Sequence, residues 1–404
     1  MTQTGTAVFD PASPTFHADR HAVYRTIRDE APLLQLPGPV PTIMVSRWAD
    51  VDQVLRDKVV RMRPVGAGAP PWLGDGAAAD MFLGQMLFTD APDHTRLRRS
   101  TTPAFRPRTI ATLRADVETA VDARIAVLRE LGSFDAVADL AEHVPAAAVC
   151  SILGIPEPDW PALIRGAVDF VTILSPLPPP ADRLAAAENI CRWYLDYFAD
   201  LVADRRAHPR GDDDFLTALI AQQEAGAMSG NELLVTAHSV LNAGFETTMS
   251  ALANGLQGLL SDPAQWSALA ADPGLAAVAV EESLRWEAPA QLLTRYAPED
   301  LELPSGTVPA GTAIVVAAAS ANRDDRRFDD PDAFDLARTD TTHLAFSAGR
   351  HTCIGAHLGR MELDIAFRKL AAAFPDLHLV AGGEAPREPN PVFPTLRSLP
   401  VATS

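Results

Sequence analysis

Residues 229–263 place the tightest constraint on the fold. Ser229-Gly-Asn-Glu232 has the spacing of a capping box, in which a serine hydroxyl and a glutamate three residues later satisfy backbone donors at a helix start. Apolar residues then recur through Leu233, Leu234, Ala237, Val240 and Leu241, and Asp262-Pro263 supplies a stop. The pattern predicts one helix of roughly thirty residues, about 45 Å long. A helix of that length exceeds the usual globular range and must cross most of the molecule with its middle buried. Gly244 lies near that middle, where glycine costs about 1 kcal/mol relative to alanine. Close approach of a flat ligand to the backbone is one reason for a glycine there.

A second feature is the run Phe346-Ser-Ala-Gly349-Arg-His351-Thr-Cys353-Ile-Gly355. Cysteine is a strong axial ligand only as a thiolate, and backbone N–H groups of a turn stabilise that anion. Gly349 and Gly355 bracket the turn with permissive backbone, and Phe346 is placed to shield the sulfur. From Ala356 to Phe367 apolar residues recur at helical spacing, so the sulfur is expected near a helix N-terminus, whose dipole favours negative charge. Each of these elements is expected to lower the thiol pKa. The run reads as a haem-thiolate ligand loop, with Cys353 as the metal ligand.

Phenylalanine, two residues, glycine, three residues, cysteine, one residue, glycine resembles the haem-binding signature of the cytochrome P-450 family. Further segments are similar to that family's landmarks, in order, from His21 to the C-terminus. Ala243-Gly244-Phe245-Glu246-Thr247-Thr248 resembles its oxygen-activation motif, which implies Glu246 and Thr247 as the proton-relaying acid and alcohol. Glu282-Ser-Leu-Arg285 resembles a buried structural pair, completed in the family by a downstream arginine that Arg338 matches. His94-Thr-Arg-Leu-Arg98 resembles the segment that donates to the haem propionates, and His351 and Arg295 match two further donors. At four residues apart, His94 and Arg98 share a helix face and suit carboxylates.

The resemblance implies a mainly α fold with small β-sheets, haem b held between the long helix and the cysteine loop, and one domain spanning residues 1–404. It implies a monooxygenase that activates O2 with electrons from a ferredoxin-type donor and its reductase. Hydroxylation or epoxidation of a hydrophobic small molecule is the expected outcome. Met86, Leu241, Ala243, Ala290, Leu292 and Phe393 match cavity-lining positions. A peroxide-driven haem enzyme is the nearest alternative, though it has no need of the acid and alcohol. A non-catalytic haem sensor or carrier would keep the loop without the relay, and no output domain is visible.

Composition agrees. The 404 residues are 47% hydrophobic, ample for a large core, and the net charge of −18 disfavours nucleic acid. No apolar run reaches the roughly 18 residues of a membrane span, and residues 1–10 lack a signal-peptide pattern. A cytoplasmic location is therefore expected. Three cysteines show no paired framework, which leaves Cys150 and Cys191 to packing. Basic residues are almost all arginine; those from Arg96 to Arg108, with Arg350, suggest a docking patch for an acidic electron donor. Strand signals are strongest at 33–45 and at 301–319, where Pro304-Ser-Gly and Pro309-Ala-Gly311 suggest hairpins. Residues 64–87 read as a long loop. Together with Pro176–Pro180, which interrupts two helical patterns, they read as a lid over the cavity.

Overall fold

The computed structural model describes residues 7–174, 179–211, 214–383 and 385–403. Helices dominate, and the organising one runs Gly230–Ser261, 32 residues or about 48 Å. Both capping-box bonds form: Glu232 N donates to Ser229 Oγ (3.1 Å) and Ser229 N to Glu232 Oε2 (2.7 Å). Asp262 ends this helix and caps the next, Pro263–Ala271, by accepting from Ala264 N. From Ser250 to Leu260 almost every residue is buried, so the helix is surrounded on all sides as its length requires. Small residues let its neighbours approach. A Cβ on Gly255 would lie 2.4 Å from Phe367 Cζ and 2.6 Å from Ser283 Oγ. Helices Ala276–Trp286 and Ala356–Ala373 therefore pack directly against its backbone.

The main sheet has four strands in the order Leu33–Leu36, Thr42–Val45, Thr312–Ala317, Leu292–Ala297. The second and third are parallel and the outer pairings antiparallel. Side chains alternate between its faces. Leu34, Met44, Leu292 and Ala317 pack against Phe16, Tyr24 and Ile27. Val45, Ile314 and Val316 face Leu344 and Ala348, at the start of the cysteine loop. One face thus anchors the N-terminal helices, while the other carries the loop.

The strand signal at residues 33–45 resolves into a hairpin, and the hairpin expected around Pro304-Ser-Gly is present as Leu301–Leu303 with Gly306–Val308. The turn at 309–311 makes no hairpin. It leads into Thr312–Ala317, which leaves for the main sheet because both of its faces are apolar and need burial. Residues 64–87 are not all loop, since Ala77–Gly84 is helical. Its first N–H groups, those of Ala77 and Ala78, donate to Glu188 on the distant helix Ala181–Ala207 (3.0 and 2.9 Å). Of the proline run, residues 176–178 lie outside the described residues. All three cysteines are free, and burial pushes the Cys150 and Cys191 thiols up to about 12. Among the described residues no helix is long and apolar enough to cross a membrane.

Candidate active site

The cysteine loop is held at several points. Leu344 N donates to Asn322 Oδ1 (2.8 Å) and Cys353 N to Phe346 O (2.8 Å). Gly349 has φ +68, and a Cβ there would lie 2.4 Å from Leu55 O, so both conformation and space demand glycine. Gly355 sits at φ −84, which any residue adopts; its importance is proximity, for a Cβ would meet Cys353 Sγ at 3.9 Å. Cys353 is exposed, and the Gly355 N–H lies beside its sulfur. Burial raises the thiol pKa and outweighs the Gly355 N–H and the Arg98 and Arg360 charges, which lower it. The net direction in the protein alone is therefore upward, opposite to the expected lowering. Phe346 is fixed beneath the Arg360 guanidinium (4.6 Å to the ring centre), which Glu281 holds at 2.6 and 2.9 Å.

The long helix passes over this loop. A Cβ on Gly359 would lie 3.8 Å from Thr248 Oγ1 and 4.0 Å from Phe346 Cζ, which fixes where the cysteine helix, the phenylalanine and the long helix meet. Ala243 is exposed although it lies mid-helix, and Thr247, four residues on, shares its face. Thr247 Oγ1 donates to Ala243 O at 2.7 Å, the bond a helical threonine makes when nothing competes. Glu246 is raised to about 7, first by burial and then by Glu388. Gly244 faces elsewhere: a Cβ would lie 2.4 Å from Val149 Cγ1 on helix His143–Leu153. The glycine thereby makes room for a neighbouring helix.

Four donors gather beside the loop. His94, on helix Asp93–Thr101, lies against His351 with 4.2 Å between ring centres and the rings tilted by 43°. Burial, then His94, Arg295 and the other nearby cations, pull His351 down to about 3, and its Nε2 is buried without a partner. Among the described residues Arg295 donates to Thr294 O (2.8 Å) and Ser347 Oγ (3.4 Å), and burial brings it to about 10. Among the described residues neither Arg98 nor Arg295 makes an ion pair. One buried and one half-buried guanidinium with two imidazoles carry more donors than the Asp90 carboxylate, whose charge reaches His94 and Arg295 and which accepts from Met62 N, so the residues present fit the two propionates of haem b.

The Glu282–Arg285 pair is fully buried and bidentate (2.7 and 2.8 Å), and Arg338 joins it at 3.1 Å. Of the cavity positions, Met86, Ala290 and Phe393 are half-buried and Ala243 is exposed. Two are corrected. Leu292 lies on the sheet face opposite Arg295 and packs against the N-terminal helices. Leu241 is two residues from Ala243, about 200° around the helix, and is buried in the core. Half-buried Leu293 and Val240 occupy the corresponding faces, and strand alternation and helical stepping from Arg295 and Ala243 would have found them. Arg96 is also reassigned. Its guanidinium is occupied by Glu232 (2.6 and 3.0 Å), Asp93 and Ala227 O, and it clamps the start of the long helix rather than meeting a partner.

A family model described as Cytochrome P450 matches residues 165–272 and 265–391. Cytochrome P450 CYP107DY1 of Priestia megaterium is 32% identical, covering 98% of each chain. Nocardicin C N-oxygenase of Nocardia uniformis is 35% identical over 95% of each. The crystal structure of CalO2 superposes with a TM-score of 0.90 at 32% identity, covering 99% of both chains. With kinship running nearly end to end and the cysteine loop lying beneath the long helix, the chain belongs to the cytochrome P450 family of haem-b monooxygenases.

Proposed function

We propose that the protein takes electrons from a separate ferredoxin-type donor and its reductase and oxygenates a largely hydrophobic small molecule, by hydroxylation or epoxidation. One relative is named an N-oxygenase, so nitrogen stands beside carbon among the atoms open to oxidation. Haem b, when bound, supplies the activation of dioxygen, and a thiolate ligand promotes O–O cleavage. Cys353 ligates its iron, while His94, Arg98, Arg295 and His351 hold its propionates. Gly349 and Phe346 keep the loop in shape around the sulfur.

Glu246 and Thr247 manage protons on the other face. With a pKa near 7, Glu246 holds and releases a proton around neutrality, the range in which acid–base exchange is efficient. Thr247 donates to Ala243 O, which leaves its oxygen lone pairs to receive a proton from a neighbouring donor. Exposed Arg99, Arg106 and Arg108 make no ion pair among the described residues and form the docking face for the acidic electron donor.

The observation that carries this reading is the meeting of the cysteine helix with the long helix, where a Cβ on Gly359 would lie 3.8 Å from Thr248 Oγ1, next to Thr247, and 4.0 Å from Phe346 of the cysteine loop. The decisive measurement is the absorption spectrum of the reduced, carbon-monoxide-bound protein. A strongly red-shifted haem band, lost in Cys353→Ala, is the expected result; haem without that shift would overturn the ligand assignment. Thr247→Ala is expected to retain haem but divert reducing equivalents to peroxide, and fully coupled turnover would remove the relay. Arg108→Glu is expected to slow reduction by the donor in a salt-dependent way. An unchanged rate would remove the docking face.

A further inference from the structure

Two adjacent acids on helix Ala276–Trp286 serve different parts of the molecule. Glu282 closes the buried network with Arg285 and Arg338, whereas Glu281, about 100° further around the helix, reaches the segments on either side of Cys353. Its two oxygens accept from Arg360 Nε (2.6 Å) and Nη2 (2.9 Å), a fork that fixes the plane of a guanidinium as well as its position. His343, its side chain 2% exposed, adds a third bond. Ala345 N donates to His343 Nδ1 (3.2 Å), so Nε2 carries the proton and donates to Glu281 Oε2 (3.1 Å). Burial alone would raise the Glu281 carboxyl, yet the Arg360 and His343 hydrogen bonds hold it down at about 2, so the clamp is charged at neutral pH.

The clamped cation lies against the cysteine loop. Its central carbon is 4.6 Å from the centre of the Phe346 ring, and the carbonyl of the same phenylalanine accepts from Cys353 N (2.8 Å). The charges of Arg360 and Cys353 also act on each other. As an ion pair partly open to water, Arg360–Glu281 contributes little to stability by itself. Three bonds and a ring contact are more than such a pair needs, which points to a task at the sulfur. Arg98 is the other cation acting on Cys353, and the proposed haem site commits it to a propionate. Arg360 is then the cation that remains for the ligand.

We propose that Arg360 sets the reduction potential of the haem through the positive charge it holds beside the Cys353 thiolate, with Glu281 and His343 as the residues that position it. The inference rests on the proposed function, which makes Cys353 the ligand of the iron. Adding an electron makes the ligated centre more negative, so a fixed cation near the sulfur favours the reduced form. Electron transfer from the donor is thereby eased without any further contact to the porphyrin.

The test uses the full chain loaded with haem, in wild type, Arg360→Met, Arg360→Lys and Glu281→Gln. The potential of each is read without substrate, by titration with redox dyes and dithionite while the haem spectrum is followed. Arg360→Met keeps an aliphatic cover over Phe346 but no charge, and is expected to move the equilibrium about tenfold toward oxidised iron, about 59 mV for one electron. Arg360→Lys keeps the charge and is expected to stay within about twofold of wild type. Glu281→Gln keeps an acceptor for the guanidinium and removes the opposing charge, so a shift of about threefold the other way, toward reduced iron, is expected. A potential for Arg360→Met within about twofold of wild type, or an equal fall in Arg360→Lys, would overturn the assignment. So would no shift or a fall in Glu281→Gln, because a loop that had merely lost its shape would move the same way whichever partner was removed. Should Arg360→Met fail to fold, the other two variants decide the question by the same criteria. A wild type whose carbon-monoxide band lacks the red shift would instead sink the functional reading, and is seen before any variant is compared.

Discussion

Two buried charged clusters in this molecule are built in opposite ways. Around Glu282 every group is matched: its carboxylate takes both Arg285 bonds, Arg338 Nε and Asp335 N, while Arg285 also reaches Asn322 O, Pro331 O and Ala333 O at 2.7–3.1 Å. Around Cys353 the donors are in surplus: Arg98, Arg295, His94 and His351 crowd together and none of them forms an ion pair among the described residues, although the Asp90 charge reaches His94 and Arg295. A saturated cluster holds segments of chain to one another and has nothing left for a ligand. An unsaturated one stores binding capacity at some expense in stability, and perturbed side chains gather there for that reason. Distance from the surface does not separate the two, since Arg285 and Arg295 are both buried.

This contrast can be broken most directly at Glu282. Replacement by alanine leaves Arg285 buried and unpaired, and urea unfolding is expected to show a loss of about 3–5 kcal/mol. A loss below about 1 kcal/mol would mean that the network does not tie the segments together. The next effect is smaller and depends on pH. Glu246 has an ordinary value of 4.5 and sits at about 7 in the fold. Below 4.5 both states are protonated. As pH rises through 4.5 the unfolded chain ionises first, so folded stability falls until the folded carboxyl ionises near 7, and it levels off above that. Glu246→Gln lacks this fall and is expected to gain about 2–3 kcal/mol over wild type between pH 4.5 and pH 7.5. A difference that does not change with pH would place the carboxyl in water.

The smallest effect is expected at Arg295. Arg295→Leu removes an unpaired buried cation, so haem-free protein is expected to unfold within about 1 kcal/mol of wild type or to be slightly more stable, the reverse of Glu282→Ala. Haem transfer to an acceptor protein is expected to be about tenfold faster, at the energy of one charge-assisted bond. A large loss of haem-free stability would mean that Arg295 belongs with the saturated cluster.

The local elements were legible in the chain. Capping-box residues three apart set the start of the long helix, and Asp262-Pro263 set its end, because those bonds form within one turn. The cysteine loop was legible from residue identity, and Arg338 meets Glu282 although 56 residues separate them. Side-chain direction was harder to read. Gly244 follows an exposed alanine and precedes the acid, yet its open side is filled by Val149, nearly a hundred residues away. Arg96 sits among free arginines in sequence and is consumed by Glu232, 136 residues on. Leu292 and Leu293 are alike in composition, and only strand register separates them.

What the sequence by itself determined was the set of groups and their local scaffolds: a thiol in a constrained turn, an acid beside an alcohol on a long helix, and four cationic or imidazole donors. Tertiary structure alone decided which of these are saturated. It paired Glu188 with a helix start 111 residues away, turned Leu241 and Leu292 into the core, and left Thr236 Oγ1 and Gln85 Nε2 buried without a partner among the described residues. Periodicity and capping act over a few residues, whereas the partner of a buried polar atom is whatever chain arrives beside it, and its saturation follows only from the packing of the whole.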